Sequence, residues 1–256
     1  MSSPNFGPAC LRAAASVLLD LVPPGARGPY NTEPIDDYLK AILELGGAQE
    51  ERATSNALAR HLGVRAASVT EMLQKLAAQK PALVKYEKHH GARLTATGKK
   101  RALEVLRHHR LLERFLHDFL DYSWDEVHDE AERLEHFISQ RFEDRIAAKL
   151  GDPETDPHGH PIPERSGAFP ARKEMLLSRC ACGVPAVISS VSDRDPTALR
   201  EMARLGLKPG VAVTVETGTR NASLRVRVGD RADSVRLSQA LASAISVIAG
   251  PPAGLG

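Results

Sequence analysis

The sequence predicts a mainly α-helical protein that ends in a small β domain. Apolar residues recur at spacings of three and four from about residue 34 to residue 150, which is the period of an amphipathic helix. After residue 174 the pattern changes to short β-branched runs between turn residues, which is typical of strands. A stretch rich in Pro and Gly separates the two regions. With 256 residues, the chain is long enough for more than one domain.

Shifts in composition divide the chain into five segments. The first is dense in Pro and Gly and contains one possible short helix at residues 9–22. The predicted segments are an N-terminal extension (1–31), a winged-helix domain (32–100), a helical domain (101–157), an irregular linker (158–173) and a small β-barrel domain (174–250).

The second segment has the pattern of a winged helix-turn-helix. Thr54 or Ser55 can cap a short helix, and Gly63 permits the tight turn that follows it. A second helix is expected at 66–79, followed by a β-hairpin at about 83–95.

Charge is distributed unevenly between the second and third segments. Residues 51–100 contain ten Lys/Arg and three Asp/Glu, whereas residues 101–150 contain eight Lys/Arg and twelve Asp/Glu. This pattern suggests that the first region binds an anion and the second a cation. Two solvated surfaces of opposite charge would produce the same pattern.

The expected DNA-contacting residues follow from the geometry of a winged helix. The N-terminal, outward positions of the second helix meet base edges or phosphates in the major groove, and the basic wing faces the backbone. An ordinary solvated role is the alternative for each Lys or Arg taken singly. The predicted set is Arg65, Ala67, Ser68, Thr70, Glu71 and Lys75 on the helix, and Lys85, Lys88 and Arg93 on the wing.

Ligand-type side chains cluster on the helices after the wing. His109 and Glu113 are four residues apart on a helix that Thr97 can cap. A capping box at Ser123–Glu126 is expected to open one long helix that continues to about Leu150. On that helix an arc of about 100° would hold four ligand-type side chains, at 100° per residue. They are His128, Glu132, Glu135 and His136. Imidazoles and carboxylates together suit a divalent first-row metal, although a solvated acidic face is the alternative.

Three stretches, RHHRLLERFL, VHDEAERLEH and DPHGHPIP, resemble the diphtheria-toxin-repressor family of iron- and manganese-dependent regulators, in particular its manganese-responsive branch. The resemblance covers about residues 32–250 and implies a winged helix, a helical dimerisation domain and a C-terminal SH3-like (FeoA-like) domain. It further implies a Mn²⁺-activated homodimer that binds a palindromic double-stranded DNA operator and represses metal-uptake genes. Fe²⁺ is also possible, because metals of this series compete for the same ligands.

The resemblance also implies two sets of metal ligands. The primary set is Asp37, Glu132, Glu135 and His136, with Asp37 and Glu132 at positions where iron-sensing relatives carry Met and Cys. The second set is His109, Glu113, His128 and Asp195, with Ala198 where the family has a Gln ligand. Lys40, His158 and His160 are expected to be solvated side chains.

Several functional classes are disfavoured by the sequence. The three cysteines and the absence of an apolar run of about 20 residues predict a cytoplasmic protein without membrane association. No signal peptide and no phosphate-binding loop or nucleophile motif is recognised, so no catalytic activity is expected. The alternatives that stay open are an iron-dependent repressor of the same family, a metal-independent winged-helix repressor, and a hydrolytic metalloenzyme.

Overall fold

A computed structural model describes residues 33–47, 51–168, 172–218, 223–229 and 233–249. The predicted extension at 1–31 and its possible helix lie outside these ranges. The predicted combination of a helical body with a small β domain is confirmed, and the described part of the chain forms three hydrophobic cores along its length.

The first core belongs to a helix-turn-helix. Helix α1 spans Glu33–Gly46, α2 spans Ser55–Leu62, and α3 spans Ala66–Ala78. Thr54 caps α2 by accepting a hydrogen bond from the Ala57 amide, and Gly63 ends α2 in the left-handed conformation. The core buries one apolar face of each helix, including Leu39, Ile42, Leu58, Leu73 and Leu76.

The wing follows as an antiparallel hairpin of β1, Val84–Glu87, and β2, Gly91–Leu94. Ala53 adds a third segment next to the hairpin by pairing with Ala92. Gly91 has a φ of 93°, and a Cβ there would lie 2.4 Å from the carbonyl oxygen of Ala53. Only glycine therefore allows the three segments to pair this closely.

The helical domain is built on α4, which spans Ala96–Leu120. Thr95, rather than the predicted Thr97, caps α4, and its hydroxyl accepts from the Gly98 amide. The single long helix expected after Ser123 is wrong, since the chain forms α5, Val127–Leu134, and α6, Gln140–Leu150. Ser139 starts α6 by accepting from the Phe142 amide, so residues 135–139 are a turn between two helices.

The C-terminal domain is a six-stranded antiparallel sheet with the strand order β3-β8-β4-β5-β6-β7. Its core fills the space between the sheet and α7, with Leu199, Met202 and Leu207 fully buried. Its elements in chain order are β3 Met175–Leu176, β4 Pro185–Val191, α7 Pro196–Leu205, β5 Ala212–Thr217, β6 Leu224–Val228, β7 Val235–Leu237, α8 Gln239–Ser243 and β8 Ile245–Ala249.

The start of the predicted linker is a compact loop held against α4. Arg107 donates to the Pro163 carbonyl and Arg110 to the Pro161 carbonyl, at 2.8 and 2.5 Å. Gly159, with a φ of 88°, lies where a Cβ would be 2.1 Å from the carbonyl oxygen of Ser189 in β4. The loop therefore joins the helical domain to the C-terminal sheet, and it brings polar side chains to their junction.

Candidate metal centres and nucleic-acid interface

A first cluster of ligand atoms lies between the winged-helix domain and the helical domain. It consists of Asp37 on α1 and Glu135 and His136 in the turn after α5, with ligand atoms within 4.8 Å of one another. His136 Nε2 lies 3.0 Å from Asp37 Oδ1 and 3.5 Å from Glu135 Oε1. His136 Nδ1 is buried and makes no hydrogen bond, and the buried Asp37 Oδ1 has no hydrogen bond besides its ion pair with His136 Nε2. Buried donor atoms without partners are costly in a folded protein, so they fit a bound cation.

The adjacent carboxylate, Asp36, has a different partner. Arg101 on α4 donates to Asp36 Oδ1 at 2.5 Å, which fixes α1 on α4. Asp36 is thereby satisfied, and Asp37 is the carboxylate that faces His136.

Glu132, the fourth predicted ligand of this cluster, points elsewhere. Its Oε1 accepts from Lys40 Nζ at 2.9 Å, and its Oε2 lies 3.2 Å from His128 Nε2. The expectation that Lys40 is solvated is wrong, because only 6% of the residue is exposed. Burial alone would lower the pKa of Lys40, but the charges of Glu135 and Glu132 raise it above its usual value.

A second cluster lies between the helical and C-terminal domains. It brings together His109 and Glu113 on α4, His128 on α5 and Asp193 in the loop after β4. Glu113 is fully buried, with Oε1 at 3.1 Å from His109 Nε2 and 3.2 Å from His128 Nδ1. Three of the four residues predicted for this site are thus placed together.

Asp195, predicted as the ligand from the C-terminal domain, has another role. It caps α7 by accepting from the Thr197 and Ala198 amides at 2.9 and 3.3 Å. Asp193, two residues earlier, lies 3.6 Å from His128 Nδ1 instead. Pro196 opens α7 and places Asp195 at its N-cap, which directs the Asp195 side chain to the helix rather than to the cluster.

The two aspartates give a matched pair of variants. Asp193→Ala is expected to weaken the second-cluster affinity for Mn²⁺ by roughly tenfold or more, because a ligand is lost. Asp195→Ala is expected to leave that affinity unchanged and to lower stability by about 1 kcal/mol, because a helix cap is lost. Calorimetric titration with Mn²⁺ and urea unfolding separate the two effects, and the reverse assignment of effects would restore Asp195 as the ligand.

The charges within the second cluster outweigh burial and hold the cluster in an ionised state. Burial alone would lower the pKa of His109, but Glu113 and Glu135 raise it to about 9. Burial likewise opposes ionisation of His128, yet hydrogen bonds to Glu113 and Glu132 raise its pKa to about 11. The same imidazoles outweigh burial and hold the pKa of Glu113 well below its usual range.

These raised pKa values predict proton release on metal binding. Below about pH 9 both imidazoles carry an extra proton without metal, and an imidazole must be neutral to ligate. The apparent Mn²⁺ affinity of the second cluster is therefore expected to rise with pH. Calorimetry in buffers of different ionisation enthalpy measures the protons released per ion, and a count of zero would contradict the assignment of His109 and His128 as ligands.

A third group, Asp156, His158 and His160, extends the second cluster. The expectation that the two histidines are solvated is wrong for His158, which is fully buried and stacks on Trp124. Its Nε2 lies 2.8 Å from the Trp124 carbonyl oxygen, an arrangement in which Nε2 is the protonated nitrogen. Its Nδ1 is then a lone-pair donor, buried without a hydrogen bond and 3.8 Å from Glu113 Oε1. A second ring nitrogen fixed by a carbonyl is typical of metal-binding histidines.

The other members of this group are held by charge. His160 Nδ1 lies 3.1 Å from Asp156 Oδ2 and 3.8 Å from Asp193 Oδ2. Burial opposes the charge on His160, but Asp156 and Asp193 raise its pKa to about 9. The D-x-H-x-H spacing at 156–160 was visible in the sequence and is the signal that could have found this group.

Glu135 links the two main clusters. One carboxylate oxygen, Oε1, lies 2.6 Å from Lys40 and 3.5 Å from His136, whereas Oε2 lies 2.5 Å from His109 Nδ1. A second link runs from the C-terminal domain to α1, where Arg194 donates to Glu44 at 3.1 Å.

The predicted DNA-contacting side chains lie on one exposed surface with few internal partners. On α3, Arg65, Ala67, Ser68, Glu71 and Lys75 are exposed, whereas Thr70 is half-buried and donates to the Ala66 carbonyl. On the wing Lys85, Lys88 and Arg93 are exposed. Lys85 pairs directly across from Arg93 in the hairpin. Like charges opposite one another destabilise a hairpin, so this pair fits an anion such as a DNA phosphate.

Arg65 gives a test of this surface. Arg65 is exposed at the N-cap of α3, the end of the helix from which a guanidinium can reach a base edge. Arg65→Ala is expected to weaken binding to the operator by about 1–3 kcal/mol, with a smaller loss on random DNA. Competition gel shifts measure both losses, and equal losses would show a phosphate contact instead.

Comparison with known proteins agrees with this architecture. Family models match three regions: the iron dependent repressor N-terminal DNA binding domain (31–92), the iron dependent repressor metal binding and dimerisation domain (95–164), and the FeoA domain (175–249). The iron-dependent repressor IdeR of Mycobacterium leprae is 30% identical over 82% of this chain and 94% of the relative. The diphtheria toxin repressor of Corynebacterium jeikeium is 29% identical over 80% and 85%.

Solved structures give the same result. A manganese-dependent transcriptional repressor in complex with manganese has a TM-score of 0.78 and 38% identity, and the match covers 84% of this chain and 99% of that one. The manganese regulator SloR matches with a TM-score of 0.68 and 31% identity over 84% and 98%.

A winged helix joined to a metal-binding helical domain defines a metal-dependent DNA-binding regulator. The chain belongs to the diphtheria-toxin-repressor family of metal-dependent transcriptional repressors. Proteins of this family bind DNA and dimerise, and the family is one of repressors rather than of enzymes. Among the residues that the structure describes, no helix has the length and apolarity to cross a membrane.

Proposed function

We propose that this protein is a cytoplasmic, Mn²⁺-activated homodimeric repressor that binds a palindromic operator and controls metal-ion uptake genes. The observation that carries the proposal is the position of the first cluster, in which Asp37 Oδ1 of the winged-helix domain lies 3.0 Å from His136 Nε2 of the helical domain. A cation bound there would join the two domains and balance the charge of Asp37 and Glu135.

The chemistry of the donors supports Mn²⁺. Each described side chain of the two main clusters offers a carboxylate oxygen or an imidazole nitrogen. Hard oxygen donors suit Mn²⁺, whereas thiolate and thioether donors favour softer metals. Two of the three cysteines, Cys180 and Cys182, lie in the C-terminal domain outside these clusters. The proposed ligands are Asp37, Glu135, His136 and, after reorientation, Glu132 at the first site, and His109, Glu113, His128, Asp193, Asp156 and His158 at the second.

The residues of the first cluster can transmit binding to DNA. Asp37 lies on α1, whose apolar face shares one core with α2 and the recognition helix α3. Fixing Asp37 against His136 therefore fixes the recognition helix relative to the helical domain. In a dimer this sets the spacing of two recognition helices, which must match half-sites about 34–36 Å apart, or a multiple of that distance.

The helical domain offers a surface for the second subunit. Phe119, Leu120, Phe137 and Phe142 are each 38–57% exposed, although they are large and apolar. Apolar side chains exposed together on one domain are typical of interfaces between subunits. A dimer with twofold symmetry would read two inverted half-sites.

An iron-dependent repressor is the second candidate. The relatives named IdeR are iron-dependent repressors by name. Nitrogen and oxygen ligands generally bind Fe²⁺ more tightly than Mn²⁺ and less tightly than Co²⁺.

A gel-shift titration with DNA from upstream of this protein's own gene tests the proposal. Binding is expected with Mn²⁺ and is expected to be lost on addition of a chelator. Stronger binding with Fe²⁺ than with Mn²⁺, at matched free concentrations without oxygen, would favour the iron-dependent repressor. Binding that a chelator does not change would indicate a metal-independent repressor.

A further inference from the structure

Lys40 forms ion pairs with two of the proposed ligands of the first site, Glu132 and Glu135. It lies on α1 one turn after Asp37, and Nζ is 2.6 Å from Glu135 Oε1 and 2.9 Å from Glu132 Oε1. With 7% of its side chain exposed, the ammonium group has little contact with water. Its charge is therefore little screened toward the buried Glu135 and more strongly screened toward the partly exposed Glu132.

This contact determines the direction of Glu132. Glu132 is 45% exposed as a side chain, and its two oxygens are taken by Lys40 and His128. Its ligand atoms are consequently absent from the group formed by Asp37, Glu135 and His136. Lys40 thus holds Glu132 away from the first cluster, and it also contacts Glu135, which belongs to that cluster.

The charge of Lys40 reaches the second cluster as well. Glu135 accepts from Lys40 through Oε1 and lies 2.5 Å from His109 Nδ1 through Oε2, so one carboxylate connects the ammonium with His109. A divalent ion at Asp37 and His136 would also lie near this ammonium, and two cations in a buried site repel one another.

We infer that Lys40 is a built-in competitor for the metal, a tethered cation that occupies Glu132 and Glu135 in the metal-free protein and thereby sets the Mn²⁺ concentration at which the repressor is activated. The inference rests on the proposed metal site. The ammonium stabilises the metal-free state, because it neutralises Glu135, whose carboxylate is buried, and pairs with the neighbouring Glu132. The same contact has to be released, at least at Glu132, before the full ligand set can form.

Lys40→Met tests the inference, since methionine keeps much of the apolar stem and removes the charge. The metal-free variant is expected to unfold at a lower temperature, because Glu132 and Glu135 lose their partner. Its Kd for Mn²⁺ at the first site is expected to fall by about tenfold, and the Mn²⁺-induced rise in Tm is expected to be larger than in the wild type. Lys40→Arg retains the charge and is expected to keep a Kd near that of the wild type.

Controls separate competition from a structural role. If Lys40 served only to build the site, Lys40→Met would lower Tm and also weaken Mn²⁺ binding, and this result, or an unchanged Kd, would overturn the inference. Lys88→Met removes an equal charge from the exposed wing and should leave the Kd unchanged. If Lys40→Met does not fold, the same titration is made on Lys40→Gln. A wild-type protein that binds no Mn²⁺ would refute the proposed function, whereas wild-type binding without tightening in the neutral variants refutes the role of Lys40 alone.

Discussion

Asp37→Ala is expected to abolish Mn²⁺-dependent operator binding while the dimer stays intact. Among the described residues, Asp37 is the ligand that the winged-helix domain contributes to the first cluster, and its Oδ1 lies 3.0 Å from His136 Nε2. Without it the remaining ligands lie in the helical domain, so metal can no longer fix one domain on the other. Operator affinity in saturating Mn²⁺ should fall by roughly a hundredfold, to the level of the metal-free protein.

The dimer is measured by sedimentation and operator binding by fluorescence anisotropy. Glu51→Ala removes an exposed carboxylate from the same domain and should leave both properties unchanged. Asp37→Ala that still binds the operator in a Mn²⁺-dependent manner would refute the coupling between the two domains.

Glu113→Ala is expected to have the largest effect on stability. The carboxylate is fully buried, and its Oε1 lies within 3.2 Å of both His109 and His128. Its removal takes away a main cause of the raised pKa values of both imidazoles, and the hydrogen bonds between these groups are lost. Breaking a buried ionic group of this kind costs about 3–5 kcal/mol of unfolding free energy.

The same variant should lose the second metal ion. Urea unfolding of the metal-free protein measures the stability loss, and native mass spectrometry in Mn²⁺ counts the bound ions. Glu104→Ala, an exposed carboxylate on the same helix, serves as the matched control. An unfolding free energy within 1 kcal/mol of the wild type would show that Glu113 is not the counter-charge of the cluster.

Local signals in the sequence predicted most of the elements. Thr54 and Gly63 define the ends of α2, and the periodic apolar residues define which helix faces are buried, so the winged helix follows from short-range rules. Residue spacing on α4 also placed His109 and Glu113 together, because one helix turn separates them. These features depend on neighbours in the chain and are legible without the tertiary structure.

The incorrect expectations arise where distant segments decide the outcome. Lys40 is solvated in an isolated helix, but α5 and the turn after it bring Glu132 and Glu135 over it. Asp195 is an exception, because Pro196 makes it the N-cap of α7 by a local rule, and Asp193 lies near His128 instead. His158 became a candidate ligand because the Trp124 carbonyl fixes its ring, and those residues are 34 positions apart.

The position of Glu135 affects how steeply metal binding is expected to depend on metal concentration. Its two oxygens serve different clusters, so an ion that draws one oxygen toward His136 changes the field that the other oxygen exerts on His109. If both proposed sites bind metal, occupancy of either cluster is expected to alter the affinity of the other, and thermodynamic linkage makes that influence mutual. A shared carboxylate of this kind allows the protein to respond to metal concentration with a Hill coefficient different from one.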